Sequence, residues 1–140
     1  SGGGSGMKIY LHINSYGGYI TDALAGVDTI KESVLPIVSI IEGCAASAAT
    51  LLSVVAQRRE ITRHSSMLIH QLSGGFWGTY EQMKDDMKNC DYLEELTSKI
   101  YLDHTHKKLK KKKLKKYLQR DILWDACKCK TLGLVDAIRG

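Results

Sequence analysis

The chain has 140 residues, 44% of them hydrophobic and 25% charged, with a formal net charge of +5. That balance excludes a disordered or collagen-like chain and fits one compact soluble domain. At this length folding withdraws roughly two-thirds of the unfolded surface from water, so the core needs no metal or disulfide staple. The four cysteines, Cys44, Cys90, Cys127 and Cys129, have neither the paired CxxC spacing of a zinc site nor the density of a secreted scaffold. A reducing compartment resembling cytosol is expected. No signal peptide is recognisable, and no apolar run approaches the ~18 residues that cross a bilayer.

Residues 1–6, SGGGSG, have the composition of a flexible linker and are read as foreign to the domain, which is expected to span 7–140. From Lys8 the stretch KIYLHIN alternates Ile9, Leu11 and Ile13 with Tyr10, His12 and Asn14, the period of a strand. SYGG breaks that pattern, and 19–33 carries Ile20, Leu24, Val27 and Ile30 at helical spacing. PIVSII at 36–41 has the composition of a buried parallel strand, which completes a right-handed strand–helix–strand crossover. EGC is expected to turn into a helix over 45–56, with Leu51, Leu52 and Val55 facing the core. RREIT and SMLIHQ supply two more short strands. Repetition of this unit makes the class α/β and gathers the loops after parallel strands, SYGG and EGCAAS among them, on one side.

The second half changes character. After the glycine-rich SGGFWG, residues 79–106 read as one long helix with Met83, Met87, Leu93, Leu96 and Ile100 on a stripe. HKKLKKKKLKKYL follows, with Leu109, Leu114 and Leu118 as its large aliphatic side chains. Their spacing suggests a helix with a solvated basic side, and without aromatic interleaving no nucleic-acid partner is expected. RDILWDACKCKTLGLVDAI closes the chain as a short helix and a last strand ending near Ile138. Trp77 and Trp124 are read as packing or interface residues, and CKC at 127–129 as inert.

EGCAASAATLL surrounds Ser47 with small residues. They allow close helix–sheet packing, or they let a substrate carbonyl reach a hydroxyl in the first turn of a helix, where free N–H groups face a developing oxyanion. His70 ends an apolar strand where a side chain leaves the sheet. Asp121 either caps a helix or orients a histidine. A serine becomes a nucleophile when a histidine takes its proton and a buried carboxylate fixes that histidine, and these residues together describe such a triad. Their order is not that of the α/β-hydrolases, and GCAAS lacks the GxSxG elbow.

INSYGG at 13–18, GCAASA at 43–48, LIHQ at 68–71, GGFWG at 74–78, RD at 120–121 and GLVDAI at 133–138 resemble the proteolytic subunits of Clp proteases, the ClpP family. The resemblance runs from Ile9 to Ile138 with the motifs in the family's order. It implies a ClpP/crotonase-like spiral of β-α-β units with a projecting handle over about 73–106. It places Ser47 on the nucleophile, His70 on the general base, Asp121 on the residue that orients it, and the Gly18 and Ala48 amides in the oxyanion hole. It implies a substrate groove at Gly17, Ser73, Gly74 and Gly75, and an assembly role for Arg120. Tyr16 and Leu72 stand where the family usually has proline, and the family's N-terminal portion, with its pore loops, is expected to be missing ahead of Met7.

The implied activity is serine endopeptidase cleavage of unfolded polypeptides to short peptides through an acyl-enzyme. No metal or organic cofactor is implied, and ATP is used only by a partner. The implied partners are further copies, in heptameric rings stacked as a tetradecamer, and a hexameric AAA+ ATPase unfoldase. The implied location is cytoplasm, or the stroma or matrix of an organelle. Two other readings stay open: a non-catalytic ring subunit, and a crotonase-type acyl-CoA enzyme with the same spiral core.

Overall fold

The computed structural model describes residues 6–70, 72–73 and 77–140. Strand β1 (Ile9–Ser15) leads through helix α1 (Ile20–Glu32) to β2 (Ile37–Ala46), and α2 (Ala48–Val54) leads to β3 (Arg58–Thr62) and β4 (Ser66–Leu68). The long helix α3 (Tyr80–Asp103), α4 (Lys111–Leu118), α5 (Ala126–Thr131) and β5 (Ala137–Arg139) follow. All strand pairs in the sheet are parallel, in the order β1-β2-β3-β5. β2 is buried from Ile37 to Ile41, as a continuous apolar run in a parallel sheet requires.

β2 is longer than the PIVSII stretch suggests, because EGCAA continues the strand instead of turning. Its first part pairs with β3 at Val38–Ile41, and its last part pairs with β4 at Cys44–Ala46. The strand bends between the two partners at Gly43, whose φ of +94° suits glycine. Asn14 Oδ1 accepts the Cys44 N–H at 3.3 Å, and Ser65 Oγ accepts the Gly43 N–H at 2.7 Å, so the bend's amides are satisfied from both sides. The helix expected from Ala45 consequently begins at Ala48.

Among the described residues of SMLIHQ, the strand covers Ser66–Leu68. The far side of β4 is closed by Trp124, whose N–H and carbonyl exchange hydrogen bonds with Met67 at 2.8 and 3.0 Å. Residues 121–124 form no helix, Trp124 being bridged to Met67, and the N-cap of α5 is Asp125, whose carboxylate accepts the Lys128 N–H at 2.8 Å. Trp124 packs edge-on against Tyr117 at 4.9 Å. Cys129 is buried, and burial pushes its thiol to about 12, outside any reactive range at neutral pH.

α3 starts on a reciprocal capping box between Thr79 and Gln82. Only its second half docks: Thr97 and Tyr101 are buried, whereas Met83 and Met87 are 41% and 60% exposed. The expected stripe therefore belongs to two environments, a projecting first half and a rooted second half. The helix ends at Asp103 rather than His106, because His106 and Lys107 take left-handed φ values of 53° and 62°. In α4 Leu114 and Leu118 are buried while its lysines are exposed, the solvated basic helix read from the sequence.

Arg59 of β3 locks this end of α3. Its side chain is 3% exposed and contacts Asp136 through Nη2 at 2.6 Å and Nε at 3.3 Å, while Nη1 donates to the His104 carbonyl at the helix end. Burial alone would raise the Asp136 carboxyl, but the hydrogen bonds and charge of Arg59 outweigh it and hold it below its ordinary value. A depressed carboxyl stabilises the fold above its unfolded pKa, and that contribution is lost as pH falls through the folded value. Asp136→Asn is expected to cost about 2 kcal/mol at pH 7, the scale of a charge-assisted hydrogen bond. Urea unfolding at pH 7 and pH 3 checks this, and the penalty should shrink at the lower pH.

Candidate active site

The loops that follow β1, β2 and β4 converge at the carboxyl end of the sheet. Ser47 occupies the step from β2 into α2 with φ 58° and ψ −125°, a conformation rare for a residue with a side chain. It is therefore not in the first turn of the helix, as expected, but on a sharp elbow before it. Such a backbone costs about 1–3 kcal/mol and persists only where neighbours over-determine it.

Those neighbours can be named. The Ser47 N–H donates to the Leu68 carbonyl of β4 at 2.8 Å. Its own carbonyl accepts from the Thr50 N–H at 3.0 Å and from Thr50 Oγ1 at 2.6 Å. Thr50 Oγ1 is also 2.6 Å from the Tyr101 hydroxyl, so the elbow is tied to the rooted half of α3. Tyr101 is buried, and burial pushes its hydroxyl up to about 12, so it stays neutral at physiological pH.

Gly17, with φ +109°, lies against the elbow itself. A Cβ there would meet Ala46 O at 2.9 Å, Ser47 Cβ at 3.0 Å and Ala48 N at 3.1 Å. Gly17 thus lets two main chains touch. At Gly18 an added Cβ would meet nothing within 4 Å, so this residue borders open space. That space is a cavity of about 360 Å³ walled by Ile13, Gly18, Tyr19, Asp22, Ala48 and Leu52 among others. Among the described residues, no hydrogen bond uses the Gly18 or Ala48 N–H.

His70 lies two residues beyond Leu68, the residue whose carbonyl holds Ser47, and its side chain is 24% exposed. Its Nδ1 is 3.9 Å from Asp121 Oδ1, inside ion-pair range but beyond a hydrogen bond. The Asp121 side chain is 85% exposed, so the buried carboxylate expected of a triad is here an open one. No hydrogen bond joins Ser47 Oγ to His70 among the described residues. Arg120 and Ser73 are exposed, and no ion pair of Arg120 is formed among the described residues. Gly74 and Gly75 lie outside the described residues. Within the same limit, no three His, Cys, Asp or Glu side chains cluster as metal ligands, and no helix is long and apolar enough to cross a membrane.

The elbow and its framing glycines can be compared with known proteins. A family model described as Clp protease matches residues 4–140. The chain belongs to the Clp protease family. A mixed α/β fold with a parallel sheet is the architecture expected of a Clp protease family member, and membership makes the chain a ClpP-type peptidase. Thr50 and Tyr101, which tie down the elbow, and Asn14, which accepts at the Gly43 bend, are supports that sequence reading missed. A threonine three residues after Ser47 is a local signal that could have been noticed. Tyr101 is 51 positions from Thr50 and left none.

Proposed function

We propose that this chain is a serine endopeptidase that cleaves unfolded polypeptides to short peptides through an acyl-enzyme. The observation that carries this reading is the strained Ser47 elbow beside two main-chain amides that no hydrogen bond uses among the described residues, with the His70–Asp121 pair on the same face. Ser47 Oγ attacks the scissile carbonyl as His70 takes its proton, and His70 returns that proton to the leaving amine. Asp121 holds the imidazole in its tautomer, and the Gly18 and Ala48 amides receive the oxyanion. Water then repeats the sequence on the acyl-enzyme. Gly17, Ser73, Gly74 and Gly75 border the groove for the extended peptide. No metal or organic cofactor takes part.

The 3.9 Å separation of His70 and Asp121 must close by about an ångström to become a hydrogen bond, and catalytic contacts often tighten only in the working complex. Ring assembly supplies a reason for that closure. Arg120 adjoins Asp121 in sequence, and an arginine engaged by a neighbouring copy would draw the carboxylate with it. The projecting half of α3 is the handle through which heptameric rings stack, and a hexameric ATPase supplies unfolded substrate.

Reaction with a fluorophosphonate, with the modified residue located by peptide mapping and the mass read by light scattering, tests the proposal. Label on Ser47 in an assembled sample is expected. An assembled sample without label would sink the peptidase mechanism and favour a non-catalytic ring subunit, the reading that the open His70–Asp121 geometry supports. The match to the Clp protease family favours the peptidase over an acyl-CoA enzyme.

A further inference from the structure

The cavity beside the elbow has a mixed wall. Ile13, Ala23, Ala49 and Leu52 make it mainly apolar, while Tyr19 and Asp22 also stand on it. Asp22 lies in the first turn of α1 and is exposed. Among the described residues its carboxylate enters no ion pair. A ligand that satisfies both parts of such a wall has an aliphatic stem and a cationic end. The stem lies along the apolar side chains, and the cation reaches the carboxylate.

We infer that this cavity receives the side chain on the acyl side of the scissile bond, and that Asp22 makes it select lysine or arginine there. The inference rests on the peptidase reading, because the Gly18 and Ala48 amides on the same wall set where the scissile carbonyl sits. A carboxylate in the first turn also favours α1 by itself. That role predicts an effect of Asp22 on helix stability and none on the choice of ligand, so selectivity separates the two.

The carboxylate is solvated, so its contribution to selection is modest, about fivefold. The test uses Ser47→Ala protein, in which the cavity remains and turnover does not, titrated with fluorescein-labelled tripeptide acids ending in lysine or leucine. Anisotropy is expected to show the lysine peptide binding about fivefold tighter, with the advantage gone in Ser47→Ala, Asp22→Asn. Equal binding, a leucine preference, no binding of either peptide, or a lysine advantage that survives Asp22→Asn overturns the inference. Failure of the peptidase reading shows elsewhere, as an unlabelled Ser47 in the fluorophosphonate experiment on the unsubstituted chain.

Discussion

Replacing Ser47 by alanine is expected to lower peptide hydrolysis by about 10⁶-fold, the loss seen when a serine nucleophile that acts with its base as one unit is removed. The unfolding free energy should move by less than about 0.5 kcal/mol, since Ser47 is only half-buried and its hydroxyl makes no hydrogen bond among the described residues. His70→Ala should cost about as much, and the double variant no more than either alone. Asp121→Asn should lose less than the ~10⁴-fold of a buried triad aspartate, because an exposed carboxylate at 3.9 Å orients the ring weakly. Single-turnover kinetics with a fluorogenic peptide, read beside urea unfolding, checks all four variants. A Ser47→Ala protein that retains hydrolysis would end the proposed mechanism. An Asp121→Asn loss as large as the full 10⁴ would mean that the pair closes in the working assembly.

Gly17→Ala is expected to be the most damaging change of a residue that takes no part in bond making. The new methyl would lie 2.9 Å from Ala46 O and 3.1 Å from Ala48 N, both main-chain atoms that cannot swing aside. It would also sit at φ +109°, a conformation that side chains oppose. Overpacking and backbone strain together should destabilise the protein by about 3 kcal/mol. Activity should fall further, by at least about 100-fold, since the shift displaces the Ser47 elbow by a fraction of an ångström or more. Gly18→Ala is the control, because its methyl meets nothing within 4 Å and should leave stability within about 0.5 kcal/mol. Equal unfolding free energies for the two variants would contradict the assigned contact between the β1–α1 loop and the elbow.

Much of the architecture was legible because its signals are local. The crossover from β1 through α1 to β2 rests on a period change from alternating to helical spacing between Ile13 and Ile20, and the structure contains it. The basic helix α4 was legible from Leu114 and Leu118, whose spacing of four places them on one face. The capping box of α3 was written in Thr79 and Gln82, but how much of the helix would be covered was not. Met83 and Tyr101 are both large and hydrophobic in sequence, yet one is 41% and the other 3% exposed, because only the second half of the helix meets α2.

At the site the sequence by itself determined which chemical groups are present: a serine among small residues, a histidine at a strand end, an aspartate beside an arginine, and paired glycines after β1. It determined the family as well, since motifs in order survive as a linear pattern. Only the tertiary structure decided how those groups are held. Ser47 takes its strained φ because Leu68, Thr50 and Gly17, from three separate parts of the chain, press on one peptide. Asp121 is open, and Trp124 three residues on pairs with Met67 of β4 where the sequence suggested a helix. Residue type and spacing travel along the chain, whereas strain, burial and the last ångström between two charged groups arise from contacts between segments far apart in it.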